Sequence, residues 1–444
     1  MINHFFYILI SCFFLSSCSF FTKEIELLVN DKEETSENSS QQDTAHKTNK
    51  KSLYCFENNK AHLLLEDEST MTYYRPLESL IFDSTSFSFI QKAAMLSLIE
   101  MSRRPDEASP GARLQYFLHY KNSDYYFDFK PVNLNDDTKM SYIKGVEMLI
   151  KNFDKSKSLE SLADYLDKTI PQNINVSSNF ETFLHENKID LLKNNDLVGF
   201  FFKGDEVLTK YESFKKISIK KIINYFYKDK IADDSFYDSS SNSLFNPDSQ
   251  NIQPGLTCNV DINKESILKD EIFFSEHKRS HTFALKEGDN VFVALSSAVI
   301  KKPIENIHST YFLKSLPGLI PFPVCHIKNN LQDITLFSTT GRNPVQHLKH
   351  LISYDLNQVD SYQSLEDLLS FSRHLYLNDP DRILYESKKG RKSQLDLFLT
   401  MNFPIYHVES LGEIIGTARF KNGPREERSL IIDDRGQSRL WCSP

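Results

Sequence analysis

Histidines occur in two pairs whose spacing would suit metal binding. His347 and His350 are three residues apart in a segment with helical periodicity, and His277 and His281 are four residues apart. Either spacing can bring two imidazoles to one face of a helix. A four-coordinate site also needs carboxylates or thiolates at ligand spacing, and neither pair has them nearby. We therefore interpret these histidines as packed or surface residues, and the sequence predicts neither a metal nor another cofactor.

Serine and lysine form a second pattern that could do chemistry. Ser-x-x-Lys joins a nucleophile to a base in some hydrolases, and it occurs here at Ser141/Lys144, Ser213/Lys216, Ser218/Lys221, Ser266/Lys269 and Ser275/Lys278. Both residue types are abundant, so about five matches are expected by chance, and no companion motif accompanies them. The sequence therefore leaves catalysis undecided and favours a protein that is not an enzyme.

Gly199 and Gly204 have the spacing of a phosphate-binding loop. Such a loop continues with Lys and Ser or Thr, which neutralise phosphate and bind magnesium. Asp205 and Glu206 stand there instead. Carboxylates would repel a nucleotide, so this segment is not interpreted as a nucleotide site.

One loop has the composition of a weak anion site. Ser338, Thr339, Thr340, Arg342 and Asn343 run from a predicted strand into a predicted helix that starts with Pro344. Free backbone amides at a helix start, with hydroxyls and a guanidinium beside them, suit a carboxylate or phosphate. The alternative is an ordinary helix start with Asn343 as the N-cap.

A short apolar run opens the chain. The run from Phe5 to Leu15 is apolar apart from Ser11. It leads into the sequence Leu15-Ser16-Ser17-Cys18. The run is too short to span about 30 Å of hydrocarbon as a helix. The segment resembles the signal peptide and lipobox of bacterial lipoproteins. The alternative is an uncleaved membrane helix from Phe5 to Phe21.

This resemblance implies lipidation at Cys18 and attachment to the cell envelope. Ser19 after the cysteine resembles lipoproteins sorted to the outer membrane, on its periplasmic or its outer side. More than one acyl chain on one cysteine gives stable attachment. The expected partners are the membrane, through this lipid, and an unknown envelope protein or polymer.

The chain behind the signal peptide divides by composition. Residues 1–17 are the signal peptide and 18–52 the lipidated cysteine and a tether, since 31–52 lack large apolar side chains. Residues 53–232 are predicted to be one domain and 256–444 a second. Residues 233–255, rich in Ser, Asp, Asn, Pro and Gly, are predicted to be the linker or a long loop.

The first half shows mostly helical patterns. A stripe over 87–101 predicts a helix, 113–130 predicts a hairpin with its turn at 122–124, and further helices are predicted over 138–154, 158–170, 178–194 and 212–227. Ser178 and Glu181 have the spacing of a capping box.

The second half shows mostly strand patterns. Hairpins are predicted around 287–290 and between 322–327 and 334–337, helices over 344–353 and 364–376, and a meander over 414–420, 429–432 and 439–442. The predicted fold class is therefore α+β, with a helix-rich N-terminal half and a mainly antiparallel β C-terminal half with a few helices.

Four cysteines remain after signal removal and acylation. Export would place Cys55, Cys258, Cys325 and Cys442 where disulfides persist. Cys258 and Cys325 lie in short apolar strands of the same half, so we expect them to pair and leave Cys55 for Cys442. The alternatives are the other two connectivities and four buried thiols.

Charge and composition narrow the function classes. Lys and Arg total 52 against 60 Asp and Glu, a net charge of −8, so a nucleic-acid partner is disfavoured. The sequence favours an outer-membrane-anchored lipoprotein that acts as a binding or assembly component. The alternative is an envelope hydrolase acting on the cell wall or another extracytoplasmic polymer.

Overall fold

The structure is a computed structural model that describes residues 62–65, 73–83, 85–131, 140–193, 195–228, 237–239, 255–259, 280–299, 316–317, 322–339, 344–353, 355–370, 372–377, 381–387, 392–408, 410–421, 428–433, 435 and 438–442. Among these residues, no helix is both long enough and apolar enough to cross a membrane. Cys18, Cys55, the tether and most of 233–255 lie outside the described residues, so the expectations for them stay predictions.

The described strands are, in chain order, β1 His62–Leu65, β2 Arg113–Tyr120, β3 Ser123–Pro131, β4 Asn173–Asn175, β5 Phe202–Lys203, β6 Glu206–Val207, β7 Ser213–Lys215, β8 Tyr237–Ser239, β9 Leu256–Cys258, β10 Ser280–Glu287, β11 Asn290–Val299, β12 Leu316–Pro317, β13 Val324–Lys328, β14 Gln332–Ser338, β15 His374–Leu377, β16 Arg382–Glu386, β17 Ile405–Val408, β18 Ile414–Phe420, β19 Ser429–Ile432 and β20 Arg439–Cys442. The described α-helices are α1 Phe89–Arg103, α2 Ser141–Phe153, α3 Leu159–Thr169, α4 Ser178–Glu186, α5 Lys188–Leu191, α6 Asn195–Phe201, α7 Ile219–Lys228, α8 Pro344–Ser353, α9 Tyr362–Leu369 and α10 Lys392–Thr400.

The larger sheet has eight strands in the order β20-β1-β10-β11-β2-β3-β8, with β12 paired to β11, and its pairings are antiparallel. Two tight turns set its register. Lys121 and Asn122, both at positive φ, join β2 to β3. Gly288, at φ 58°, and Asp289 join β10 to β11. Two-residue turns with positive φ match the twist of a hairpin, so they fix which residues face each other.

The smaller sheet has five antiparallel strands in the order β19-β18-β14-β13-β9. It packs against one face of the larger sheet. The apolar side chains between the sheets include Leu64, Phe117 and Val293 from the larger sheet and Val324, Phe337 and Ile415 from the smaller. Burial of this interface makes the two sheets one sandwich.

Helices cover the other face of each sheet. α1 packs on β10 and β11, and α2 packs on β2 and β3. α1 begins with a capping box between Ser88 and Gln91, and it buries apolar side chains along its length. α8 packs on β14 and α9 on β18. The order of layers is therefore helix, sheet, sheet, helix.

Residues 371–409 form a separate compact unit. Strands β15 and β16 pair antiparallel, and β16 and β17 pair parallel. Phe398 of α10 packs with Ile383 and Tyr385 in a small core. The unit therefore has its own sheet and its own buried side chains.

The α+β class and the mostly antiparallel pairing are confirmed. The larger sheet, however, combines β1 to β3 from the first half with β10, β11 and β20 from the second. The structure also places Arg439–Cys442 beside β1 rather than in the predicted meander with β19. Strand pairing between distant segments depends on packing across the whole chain, which local patterns do not encode.

Several helix boundaries differ from the predictions. Ser177, not Ser178, is the N-cap of α4, because its hydroxyl accepts from the amide of Phe180 at 3.2 Å. The segments predicted as single helices over 178–194, 212–227 and 364–376 each contain a break or a strand. Helix propensity correctly indicated helices in these segments, but capping residues and strand pairing determine where each helix begins and ends.

The disulfide between Cys258 and Cys325 is confirmed. The two residues face each other in the β9–β13 pair. Cys442 is also disulfide-bonded. Because its expected partner Cys55 lies outside the described residues, the pairing of Cys55 with Cys442 stays a prediction.

Candidate active site

A buried carboxylate and a buried imidazole meet where α1 ends over the start of β10. Glu100 lies in the last turn of α1, and His281 is the second residue of β10. His281 Nε2 lies 2.6 Å from Glu100 Oε2, and both side chains are almost fully excluded from solvent. A hydrogen bond of this kind fixes the orientation of the ring.

Two further side chains hold Glu100. Arg103 Nη2 donates to Glu100 Oε2 at 2.8 Å, and the Tyr74 hydroxyl donates to Oε1. Burial alone would raise the pKa of Glu100, but Arg103 and His281 outweigh it and lower the pKa to about 2. Burial, and next Glu100, raise the pKa of Tyr74 well above its usual value. Glu100 is therefore ionised beside a tyrosine that stays protonated.

A serine hydroxyl lies opposite the imidazole. His281 faces Ser296 directly in the β10–β11 register. Directly opposite residues have Cβ atoms about 5 Å apart on the same face of the sheet. Ser296 is fully buried, and its hydroxyl has no hydrogen-bond partner among the described residues. An unsatisfied buried hydroxyl costs free energy, so it marks a position where a functional role is expected.

The next residue along the strand offers a contrast. Ser297 is also buried, with an unpartnered hydroxyl, but it points to the opposite face of the sheet. Its cross-strand neighbour on β2 is Arg113, which pairs with Asp128. Among the described residues Ser297 thus has a guanidinium opposite it, while Ser296 has an imidazole that could act as a base. Only the second arrangement can accept a proton from a serine.

The same sheet carries another carboxylate–imidazole pair at its far end. His119 Nδ1 lies 2.6 Å from Asp124 Oδ1 across the β2–β3 turn. Arg428 reaches Asp333 Oδ2 at 2.6 Å, and Lys328 reaches both aspartates within 3.4 Å. Burial would raise the pKa values of Asp124 and Asp333, but their hydrogen bonds and positively charged neighbours lower both.

Asp124, His326 and Asp333 have ligand atoms within 4.8 Å of one another, the one such trio among the described residues. Burial, the larger effect, lowers the pKa of His326, which favours the neutral ring that a metal needs. Arg428 and Lys328 already neutralise the two carboxylates, however. A divalent cation would have to displace them, so this donor set fits a metal poorly.

A cavity of about 280 Å³ opens beside this second pair. It lies where the β2–β3 turn, the β13–β14 turn and the end of β18 come together. The β2–β3 hairpin contributes His119 and Asn122 to the lining. The β13–β14 hairpin contributes Lys328, Asn329, Gln332 and Asp333, and the end of β18 contributes Arg419 and Lys421. We call it the turn pocket.

The structure places other predicted residues in structural roles. His347 is buried and its Nε2 lies 2.9 Å from the Leu411 carbonyl, while His350 lies on the same helix α8. Lys144 is buried and pairs with Glu147 at 3.1 Å rather than serving Ser141. His277 lies outside the described residues. No metal group among the described residues includes any of these side chains.

The weak anion-site loop is described only in part. Thr339 uses both its amide and its hydroxyl on the Glu413 carbonyl. Ser338 is buried, and its hydroxyl has no hydrogen-bond partner among the described residues. Thr340, Arg342 and Asn343 lie outside the described residues, so the anion site stays a prediction.

Glu100 and Ser296 were not singled out from the sequence, and His281 was considered only as a metal ligand. A signal for Ser296 existed. A two-residue turn at 288–289 pairs residue 287 with residue 290, and each step back along β10 is matched by one step forward along β11. Counting six residues from the turn on both strands places His281 opposite Ser296. Nothing comparable pointed to Glu100, because its contact with β10 depends on how α1 packs on the sheet.

Solved structures share this arrangement of layers. Cephalosporin acylase from Bacillus halodurans matches with a TM-score of 0.55 and 8% sequence identity, over 90% of this chain and 98% of the acylase. A form of the protein LmbA2991 matches with a TM-score of 0.60 and 7% identity, over 88% of this chain and 99% of its own. No protein-family model and no curated protein matches the sequence. At these identities the likeness establishes the fold.

Proposed function

We propose that this protein is a hydrolase that cleaves an acyl bond, an amide or an ester, in an extracytoplasmic substrate. One observation carries the proposal: the imidazole of His281 contacts the carboxylate of Glu100, and Ser296 faces His281 across the β10–β11 pair. The fold supports it, since it matches a cephalosporin acylase over nearly the whole of both chains. The sequence alone favoured a binding component, and this geometry favours the hydrolase alternative.

Each of the three residues has a defined task in such a reaction. Ser296 Oγ attacks the carbonyl carbon of the substrate while His281 takes the hydroxyl proton. His281 then gives this proton to the departing amine or alcohol, leaving an acyl group on Ser296. Water, activated by the same imidazole, attacks this acyl group and frees the serine. Glu100 orients the ring and stabilises its charged form.

Arg103 and Tyr74 act as positioning residues. Tyr74 donates to Oε1 of Glu100, and Arg103 donates to Oε2, the oxygen that His281 also contacts, so the carboxylate cannot turn away from the ring. Arg103 also lowers the pKa of Glu100 and so keeps it ionised, as the acid of a triad must be. We expect their loss to act through Glu100 rather than on the substrate.

Labelling with a fluorophosphonate, which phosphonylates activated serines, tests the assignment. The purified full-length protein should gain one label, located by peptide mass spectrometry at Ser296. We expect Ser296→Ala to abolish labelling and His281→Gln to slow it by about 10³-fold or more. Ser297→Ala is the matched control and should label normally. Label on Ser297, or none on the folded wild-type protein, would overturn the proposal.

The proposed place of action is the cell envelope, with the protein held by lipid on Cys18. The apolar run and Leu15-Ser16-Ser17-Cys18 support this part of the proposal. Mass spectrometry of the mature N-terminal peptide should find an acylated cysteine, and Cys18→Ala should move the protein out of the membrane fraction. A Cys12→Ala control should leave fractionation unchanged, and an unmodified N-terminus would contradict the anchor.

A further inference from the structure

The turn pocket contains more positive charge than the described residues neutralise. Lys328 and the neighbouring Arg428 balance Asp124 and Asp333. Arg419 and Lys421 also line the cavity, and no carboxylate among the described residues lies within ion-pair distance of either. Two cations therefore lack a counter-charge in one cavity.

Buried polar atoms in the same cavity lack hydrogen bonds. His119 Nε2, Gln332 Oε1, Asp333 Oδ1 and Arg419 Nε have no hydrogen-bond partner among the described residues. His119, Gln332 and Asp333 are each more than nine-tenths buried. Leaving such atoms unsatisfied costs free energy, which a bound ligand would recover.

The polar groups that line the turn pocket are of two kinds, hydrogen-bond donors and hydrogen-bond acceptors. The cations Arg419, Lys421 and Lys328 are donors that suit an anion. Gln332 Oε1 and Asp333 Oδ1 are acceptors, and His119 Nε2 is one whenever its ring is neutral, since Asp124 holds the Nδ1 side. Acceptors repel an anion but suit hydroxyl groups. The ligand should thus carry both an anionic group and hydroxyls.

We propose that the turn pocket binds a phosphorylated sugar or a similar phosphate monoester with hydroxyls. The phosphate, with close to two negative charges at neutral pH, matches the two uncompensated cations. The hydroxyls would donate to Gln332 and Asp333. The cavity has room for a molecule of about one sugar ring.

The pocket is separate from the proposed active site. His119 and Leu114, the β2 neighbour of Ser296, are five residues apart along one strand, or about 16 Å. His119 also faces the inter-sheet side, whereas Ser296 faces the helices. The binding proposal therefore does not depend on the hydrolase proposal.

Isothermal titration calorimetry on the purified full-length protein tests the pocket. Glucose 6-phosphate should bind saturably, and at least about tenfold more tightly than glucose, inorganic phosphate or glucuronate. The affinity should fall as salt is added, because Lys328 and Lys421 are exposed. Equal affinity for inorganic phosphate would overturn the role of the hydroxyls, and equal affinity for glucuronate would overturn the charge argument.

Substitutions connect the binding to the named residues. Arg419→Gln and Lys421→Gln should each weaken glucose 6-phosphate at least about tenfold. Lys193→Gln is the control, since Lys193 is an exposed lysine outside the cavity lining. All three variants should keep the wild-type melting temperature. No saturable binding at millimolar ligand, or equal binding by all three variants, would overturn the proposal.

Discussion

Two carboxylate–imidazole pairs of the same 2.6 Å length lie at opposite ends of the larger sheet. Glu100 and His281 are sealed between helix and sheet, with Arg103 and Tyr74 on the carboxylate. His119, which pairs with Asp124, lines an open cavity, and several cations lie around this second pair. The first environment holds one fixed geometry, and the second leaves charge and hydrogen-bonding atoms for a ligand. We therefore propose catalysis for the first pair and ligand binding beside the second.

The largest expected effect is a difference in the free energy of unfolding that is lost when each pair is broken, because the Glu100–His281 pair is the more deeply buried. Glu100→Gln should lower the free energy of unfolding by about 4 kcal/mol, because it removes the charged partner from the buried Arg103–Glu100 ion pair. Asp124→Asn should cost about 1–2 kcal/mol, since Arg428 and Lys328 keep Asp333 as a partner. Urea unfolding of both variants measures this, and equal losses would show that burial does not distinguish the pairs.

Removing the disulfide between Cys258 and Cys325 should affect the turn pocket more than the Glu100–His281 pair. Cys325 lies on β13, the strand that supplies Lys328 to the turn pocket. The bridge closes a separation of 67 residues, so Cys258→Ser with Cys325→Ser should cost about 3 kcal/mol. Glucose 6-phosphate should bind more weakly, while serine labelling at Ser296 stays. Loss of labelling at temperatures where the variant is folded would contradict this separation.

Acid provides a smaller test of the sealed pair. The pKa of Glu100 is lowered to about 2, so its stabilising contribution is complete above about pH 4.5 and disappears as the pH falls toward 2. By pH 3 this residue alone should have cost roughly 2 kcal/mol. The stability of Glu100→Gln should therefore fall less steeply between pH 4.5 and 3 than that of the wild type. Parallel curves would contradict the lowered pKa.

The sequence predicted what local patterns encode. The helix predicted over 87–101, the hairpin at 287–290 and the facing of Cys258 with Cys325 are confirmed, although the helix spans 89–103 and is buried on every side. The β2–β3 turn lies one residue earlier than predicted, at Lys121 and Asn122. That difference matters, because only the observed register puts Asp124 opposite His119.

The sites needed contacts between segments far apart in the chain. Glu100 meets His281 across 181 residues, and the turn pocket joins β2, β13 and β18. Such contacts follow from the packing of a helix on a sheet and of one sheet on another. Composition and periodicity specify which faces are apolar, but not which partners they meet.

The pairing of β1 with β20 sets how the body would respond to mechanical force. His62, at the start of β1, pairs with Cys442 at the end of β20. Tension between an anchored N-terminal segment and the C-terminal end would thus act on the same end of both strands. The hydrogen bonds between β1 and β20 would then break one after another as the strands peel apart, whereas in shear they would all bear the force at once. Without a covalent link at that end, the edge of the larger sheet would be its mechanically weak side. The predicted Cys55–Cys442 bridge lies where peeling would begin, so it would carry this tension in place of the hydrogen bonds.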